Sequence, residues 1–324
     1  MHSRRRRSLL AVAGAAVTLL AGTANVAAST PDEGSGITPE ALVAAAEQSA
    51  TAPSRYEMYL EMSGVAGMPT MGSTSRPLAT GSVSGTSSTA LMDMSVLMGG
   101  LLPLDDDDLT MEMITIEQDL YIRAPFFAAL AEMSGRTSGP MSAFVELGDG
   151  WAFVDGAALS TDAADIGSLL GANAGNPTAM YAALGTTSKT APLGTETIHG
   201  IPSSGVTATV GFVEMMEAQN LDPSLMPADL SSLADAELPI EVWLGDNGFI
   251  TRVVFEFDVD TLTAAASIGG LDDSEAELLD EMRGLVTTMI MESFDFNSPD
   301  IVIAPPKEYV DMTTEFGELL EMAQ

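Results

Sequence analysis

The sequence predicts an α+β fold in which an antiparallel β-sheet is backed by helices. Repeated segments alternate apolar and polar residues with a period of two, which is typical of strands that bury one face. Helix signals occur at the start, in the middle and near the end, without the regular strand–helix alternation of a parallel sheet. Hydrophobic residues make up 46% of the chain, enough to build a core, so intrinsic disorder is excluded.

The first residues are predicted to be a secretory signal peptide covering residues 1–28. Arg4 to Arg7 form its positive region, Leu9 to Leu20 its apolar stretch, and small residues near Ala28 a cleavage site. The apolar stretch is short for a bilayer span, and no second long one follows. We therefore expect a polar tether over 29–36, one domain over 37–324, no transmembrane span in the mature chain, and a secreted or extracytoplasmic cell-envelope location.

The charge of the chain excludes several partners. Acidic residues number 46 and basic residues 12, a net charge of −34; four of the arginines lie in the signal peptide, which leaves 8 − 46 = −38. Such a charge repels nucleic acid and anionic membrane surfaces. Cysteine is absent, so disulfides and thiol chemistry are excluded, while 21 methionines favour soft, adaptable packing.

The clearest structural signal is "ELPIEVWLGDNGFITRVVFEFDVD", residues 237–260, which predicts a β-hairpin. Asn247-Gly248 favours a type I′ turn, because both positions of that turn need positive φ values. The resulting register places Trp243 opposite Arg252, and a shift of one residue would mix the apolar and polar faces. The buried side of the hairpin is predicted to carry Ile240, Val242, Val253, Phe255 and Phe257.

Earlier segments predict further strands of the same sheet. "SRYEMYLEM" places Tyr56, Met58, Leu60 and Met62 on one face. "TGSVSGTSSTALMDMSVLM" predicts one long strand whose second half aligns Met92, Met94, Val96 and Met98. "LTMEMITIEQDLYIR" predicts two strands about a turn near Gln118-Asp119, and "GWAFVD" adds another.

Later segments complete the predicted sheet. "GTETIHGIPSSGVTATV" predicts two paired strands joined through the stretch from Gly200 to Gly205. "IMESFDFNSPDIVIAPP" predicts a last strand that ends at Pro305-Pro306.

Helices are predicted from capping residues. Thr38 is placed as an N-cap with Pro39 at the first helical position, ahead of "EALVAAAEQSA". "NPTAMYAALG" has Asn176 as cap and Gly185 as stop. Ser274 and Glu277 form a capping box for "DSEAELLDEMRGL". "FVEMMEAQNL" and "EFGELLEMAQ" are predicted to be the remaining helices.

The residues of common enzyme classes are missing. His199 is the one histidine outside the signal peptide, and no G-x-S-x-G elbow accompanies it, since "GSVSG" has valine at its centre. Zinc sites of the usual Cys/His kind are excluded by count, and glycine patterns for nucleotide phosphates are absent. We expect no enzyme activity, no cofactor and no metal ligand, with His199 an ordinary residue at a turn or strand end.

The run "PLDDDDLT", Asp105 to Asp108, leaves two interpretations open. Four consecutive carboxylates could take Ca²⁺, but the alternate ligand positions, central glycine and closing glutamate of an EF-hand are absent. A solvated acidic loop is the simpler interpretation.

The order of these features resembles a family. A signal peptide, an N-terminal helix and a strand with tyrosine are followed by "ETIHGIPSSGVTATV", "LPIEVWLGDNGFITRVVFEF" and "FDFNSPDIVIAPPKEYVDM". This order is similar to that of the actinobacterial LppX/LprA/LprF/LprG-type lipoproteins, over roughly residues 37–312. The match is most specific in the hairpin from Pro239 to Phe257. The lipobox cysteine of the family is absent.

The resemblance implies a LolA/LolB-like half-barrel, a strongly curved antiparallel sheet wrapped over helices with an apolar cavity between them. It also implies an acylated lipid or glycolipid as ligand and an envelope protein as donor or acceptor. On this hypothesis the cavity is lined by the apolar faces named above: Tyr56, Met58, Leu60, Met62, Met92, Met94, Val96, Ile240, Val242, Val253, Phe255 and Phe257.

Three functional hypotheses follow from the sequence. The first is a secreted, non-enzymatic lipid carrier. The second is a cell-surface sensing, adhesion or cation-binding module whose core is filled by its own side chains. The third, a hydrolase, would have to depend on His199.

Overall fold

The computed structural model describes residues 36–64, 70–98, 109–126, 128–129, 140–158, 177–185, 187, 189–211, 213, 237–258 and 283–323. Thirteen strands and five helices lie in these ranges. The helices are α1 (Pro39–Thr51), α2 (Ser95–Met98), α3 (Pro140–Leu147), α4 (Pro177–Leu184) and α5 (Thr313–Ala323). The strands are β1 (Ser54–Ser63), β2 (Met71–Ser73), β3 (Ala79–Ser84), β4 (Ser87–Asp93), β5 (Thr110–Ile116), β6 (Asp119–Arg123), β7 (Ala152–Asp155), β8 (Lys189–Ile198), β9 (Ile201–Gly211), β10 (Glu237–Gly245), β11 (Ile250–Asp258), β12 (Val286–Phe294) and β13 (Val310–Asp311).

All these strands belong to one large, curved and unclosed sheet. Its order is β13-β7-β6-β5-β4-β3-β1-β12-β11-β10-β9-β8, and β2 pairs with β1. The pairs along this order are antiparallel except β13 with β7. The fold is therefore α+β, as the sequence predicts. Strand β12 lies between β1 and β11, so it joins the two halves of the sheet.

The central hairpin confirms the predicted register as far as Trp243. Beyond that residue the pairing shifts, since Leu244 faces Ile250 and not Thr251, and the predicted turn is not formed. Val242 pairs with Val253 and Trp243 with Arg252. A bulge follows Trp243, and the amide of Gly248 donates to the Gly245 carbonyl oxygen at 2.9 Å. Since Gly248 has a positive φ of 84° and Asn247 does not, the turn is a type I turn followed by a left-handed glycine. The prediction of a type I′ turn is wrong.

The segment predicted as one long strand is a hairpin. β3 and β4 are separated by a turn in which Gly85 has a φ of 62°, and Val83 pairs back to Ser88. β4 ends at Asp93, whose Oδ1 accepts the amide of Ser95 at 3.0 Å and so begins helix α2. Met94, Val96 and Met98 therefore do not continue the apolar face of a strand.

Two further boundaries differ from the sequence prediction. β8 and β9 meet at His199-Gly200 rather than across residues 200–205, because Ile198 pairs with Ile201. β12 ends at Phe294, and residues 301–306 form no strand. Positive φ values of 54° at Asp295 and 59° at Asn297 turn the chain there, before the two prolines are reached.

The predicted helices α1, α4 and α5 are confirmed. The Thr38 hydroxyl accepts the amide of Ala41 at 3.3 Å, which is the predicted N-cap of α1. The predicted helices at 212–221 and 273–285 and the cap Asn176 lie outside the described residues, apart from 213 and 283–285. Residues 283–285 are not helical, so the predicted helix does not extend to 285. Helices α2 and α3 and strands β2 and β13 were not predicted.

Candidate functional site

The inner face of the sheet is a continuous apolar surface. Cross-strand partners form a row across five strands, from β1 through β12, β11 and β10 to β9, and each of them is at most 3% exposed. The row consists of Met58, Met291, Val253, Val242 and Val206. Because the side chains alternate between the two faces, every second residue of these strands adds to the same surface.

The predicted lining residues lie mostly on this face. Met94 and Val96 are partly buried against the core, although they are not on a strand. Phe257 pairs with Thr287, but its side chain lies outside the described residues. The other nine are at most 7% exposed: Tyr56, Met58, Leu60, Met62, Met92, Ile240, Val242, Val253 and Phe255.

Helices cover this face and are attached to it by buried hydrogen bonds. Helix α1 buries Leu42, and its Ser49 hydroxyl accepts the amide of Ile250 at 2.9 Å. From α4, Tyr181 hydrogen-bonds the hydroxyl of Ser293 on β12 at 2.7 Å. Two elements distant in sequence are therefore held on one apolar face by specific polar contacts.

Methionine is prominent in the interior between the sheet and the helices. Eight methionines belong to the buried cluster that joins the strands to α1, α3, α4 and α5: Met58, Met92, Met111, Met113, Met180, Met289, Met291 and Met312. An unbranched thioether changes shape at low cost, so this interior can adapt more readily than one of branched side chains.

Two clefts border the sheet. A cleft of about 530 Å³ lies beside the turn between β10 and β11 and is lined by Ile37, Glu196 and Asp246 among others. A second, of about 400 Å³, includes Glu57 and Phe294. Both clefts adjoin a polar cluster on the opposite, outer face of the sheet.

The outer-face cluster consists of Glu57, His199, Glu292, Arg252 and Glu196. His199 Nε2 lies 2.8 Å from Glu292 Oε2 and 3.8 Å from Glu57 Oε2. The other oxygen of Glu292 accepts from Arg252 Nε at 2.7 Å, and a second guanidinium nitrogen of Arg252 donates to Glu196 at 2.8 Å. The cluster thus connects β1, β12, β11, β8 and the β8–β9 turn.

Neighbouring groups orient the cluster. The imidazole of His199 stacks on the ring of Phe294, with centroids 4.1 Å apart and planes 20° from parallel. Tyr59 donates to Glu57 Oε2 at 2.5 Å. Burial and this carboxylate raise the pKa of Tyr59, which therefore remains a donor. Burial lowers the pKa of Arg252, but its hydrogen bonds to the glutamates more than offset that effect and keep it charged.

His199 reaches this place because of its backbone conformation. His199 and Gly200 have φ values of 46° and 81°, so they form the two-residue turn with two left-handed positions that was predicted for Asn247-Gly248. β10 and β11 lie between β9 and β12 in the sheet, yet His199 contacts β12. The tip of the β8–β9 hairpin must therefore bend over the outer face.

The outer-face cluster is not predicted by the sequence. His199 was expected to be an ordinary turn residue, and it lies 93 residues from Glu292 in sequence. No local pattern distinguishes Glu57 or Glu292 from other polar residues. Each occupies one of the outward-facing positions that alternate with buried positions along its strand. The acidic run from Asp105 to Asp108, for which the sequence left Ca²⁺ binding open, lies outside the described residues.

None of the described helices is long and apolar enough to cross a membrane.

The chain was compared with known proteins. No protein-family model matches it, and no curated protein matches it. Among solved structures, LprF from Mycobacterium bovis is 12% identical, with a TM-score of 0.41 over 83% of this chain and 98% of that one. The lipoprotein LppX from Mycobacterium tuberculosis is 13% identical, with a TM-score of 0.38 over 82% and 100%. A DUF1329 family protein from Desulfovibrio piger is 10% identical, with a TM-score of 0.24 over 82% and 93%. LprF and LppX are among the lipoproteins that the features of this sequence resemble.

Proposed function

We propose that the protein is a secreted, non-enzymatic carrier that holds the acyl chains of a lipid or glycolipid between the sheet and its helices. The observation that supports this most is the continuous inner face, apolar across five strands and backed by a methionine-rich interior. Neither an active-site base nor a nucleophile is needed for this function. An envelope protein that delivers or receives the lipid is part of the proposal.

The energetics of acyl burial suit a carrier without chemistry. Each methylene moved from water into an apolar interior contributes about 0.8 kcal/mol. A sixteen-carbon chain then gains on the order of 12 kcal/mol, from which several are lost to restricted motion. Because nine of the predicted lining residues are already buried by other atoms of the protein, the guest has to displace methionines or move the helices. Met58 and Met291, directly paired on the inner face, are among the side chains that would shift.

A filled-core module of the cell surface is the second candidate, and one observation favours it. Nine of the predicted lining residues are at most 7% exposed, so the interior is closed around them. In such a module the outer-face cluster would be the binding site, and the inner face would serve only to stabilise the fold.

A series of lysophospholipids with eight, twelve and sixteen carbons separates the two candidates. The lipid-extracted mature chain is titrated below the aggregation concentration of each lipid, by calorimetry and by native mass spectrometry. A carrier should bind the lipid saturably at its interior site. The affinity should rise about fourfold per added methylene, since a transfer free energy of about 0.8 kcal/mol corresponds to that factor. Binding that is not saturable, or that does not depend on chain length, would instead support the filled core.

Two adjacent residues of β12 provide a matched pair of variants. Met291 points inward and Ile290 outward, so Met291→Phe alters the interior and Ile290→Phe the outer face. For a carrier, Met291→Phe should weaken binding of the sixteen-carbon lipid more than that of the eight-carbon lipid, while Ile290→Phe leaves both unchanged. Equal effects of the two variants would contradict an interior site.

A further inference from the structure

We infer that Glu57, His199 and Glu292 form a binding site for a divalent transition-metal ion, with Zn²⁺ the best match. The proposal concerns the outer face of the sheet and is independent of lipid binding inside. His199 lies in the β8–β9 turn, and the two glutamates come from different strands, β1 and β12.

The donor atoms are close enough to share one ion. Each residue offers one ligand atom, and the three atoms lie within 4.8 Å of one another. His199 Nε2 and Glu292 Oε2 are 2.8 Å apart, and Glu57 Oε2 is 3.8 Å from the same nitrogen. An ion about 2.1 Å from each donor fits between atoms at these separations after small side-chain shifts.

The sheet register places the two carboxylates in an otherwise unfavourable position. Glu57 and Glu292 are direct cross-strand partners on β1 and β12. Like charges directly opposite each other destabilise a strand pair. Arg252 flanks Glu292 from β11, whereas no lysine or arginine within the described ranges is ion-paired with Glu57. A cation beside Glu57 would remove this repulsion.

The charges of the cluster favour a divalent ion. With His199 neutral, Glu57, Glu196 and Glu292 carry −3 and Arg252 carries +1, which leaves −2. One divalent cation makes the cluster neutral. The whole chain, at −34, adds a field that concentrates cations near the surface.

Each ligand is already oriented by a second group, as is usual around bound metals. Arg252 holds Oε1 of Glu292 and leaves Oε2 toward the histidine. Tyr59 hydrogen-bonds Glu57, and Phe294 stacks on the imidazole.

The donor set indicates the class of ion. Ca²⁺ requires six to eight oxygen ligands, and Mg²⁺ keeps most of its water. One imidazole and two carboxylates, with a position left for water, match Zn²⁺ in its tetrahedral three-ligand sites. Among transition metals this nitrogen and oxygen set also accepts Mn²⁺ or Ni²⁺.

The mature chain allows a direct spectroscopic test, because His199 is its one histidine once the signal peptide is removed. The untagged, ¹⁵N-labelled mature chain is titrated with ZnCl₂, and the imidazole nitrogens are followed by long-range ¹H–¹⁵N correlation. Site binding predicts a large change of the Nε2 resonance that saturates at one Zn²⁺ per chain, with the Nδ1-protonated tautomer populated. CaCl₂ at the same concentration should leave the resonance in place. An imidazole signal that does not move with zinc would overturn the proposal.

Variants provide the second test, measured by zinc titration calorimetry with folding checked by circular dichroism. His199→Asn keeps a residue that tolerates positive φ, and Glu57→Gln keeps the shape of the side chain. Each should weaken zinc binding at least about tenfold, by comparison with the 10–100-fold typical of outer-shell changes. The control is Glu61→Gln, which removes one charge from the same face of β1 outside the cluster. Equal weakening by all three variants would show diffuse counterion attraction, and no weakening by His199→Asn or Glu57→Gln would also refute the site.

Discussion

The buried hydrogen bond between Tyr181 and Ser293 should measure how strongly helix α4 is held on the sheet. The two hydroxyl oxygens are 2.7 Å apart, and the residues are 2% and 1% exposed. Burial raises the pKa of Tyr181, which therefore stays protonated across the usual pH range. Tyr181→Phe and Ser293→Ala each remove one hydroxyl and leave the other buried without its partner.

The expected loss of stability follows from leaving one buried hydroxyl without its partner. A buried hydroxyl that loses its partner costs about 1–3 kcal/mol, whereas removing both partners together is close to neutral. Each single variant should therefore lower the free energy of unfolding by about 1–3 kcal/mol. The double variant should be clearly less destabilised than the sum of the singles, because residues in contact are energetically coupled.

Urea unfolding followed by circular dichroism checks this prediction, with the four proteins of the cycle measured at one pH and salt concentration. Tyr309→Phe is the matched control, because Tyr309 is 49% exposed and a surface change of this kind stays within about 0.5 kcal/mol. Additive single effects would refute the reasoning, since they would mean that the two hydroxyls do not stabilise each other.

Two further predictions concern single positions in the sheet. Gly81→Ala should destabilise the fold by about 1–3 kcal/mol or more, because a Cβ there would lie 2.0 Å from the Thr89 carbonyl oxygen and 2.6 Å from the Tyr56 ring; thermal unfolding measures the loss. Glu241→Gln should stabilise the protein at pH 7 but not at pH 3. Burial, with repulsion from Glu256, raises the pKa of Glu241 in the folded state, so the folded protein is penalised once the pH rises above the unfolded pKa. Urea midpoints at both pH values test this, and a gain that persists at pH 3 would contradict it.

The parts of the fold that the sequence predicted are those in which alternation along a strand decides the structure. The register of β10 and β11 was predictable, because a slip of one residue would have moved Val242 and Val253 to the polar face. The N-cap of α1 was predictable from Thr38 and Pro39 for a similar local reason. Which strands become neighbours, such as β12 between β1 and β11, depends on contacts far apart in sequence, and the residues themselves carried no signal for it.

The turns show where local preference is overridden. Asn-Gly is the dipeptide that most favours a type I′ turn, yet this turn type occurs at His199-Gly200. In the β10–β11 hairpin the bulge after Trp243 lengthens one strand, and a type I turn with left-handed Gly248 closes the resulting loop. At the β8–β9 tip, histidine tolerates the left-handed conformation less well than asparagine or glycine, so its contacts with Glu292 and Phe294 must offset the difference.

The inner and outer rows of the sheet bring the two proposals into one structure. Glu57 and Glu292 on the outer face each lie one residue from Met58 and Met291 on the inner face, in the same strand pair. A metal held by the outer pair would fix the β8–β9 tip, β12 and β1 relative to one another without touching the interior. The sheet would then be the rigid part, and adaptation to a guest would have to come from the methionines and from the helices. These helices pack on the sheet through the buried apolar cluster and are also held by hydrogen bonds. On this view zinc should raise the stability of the sheet and leave the chain-length dependence of lipid binding unchanged.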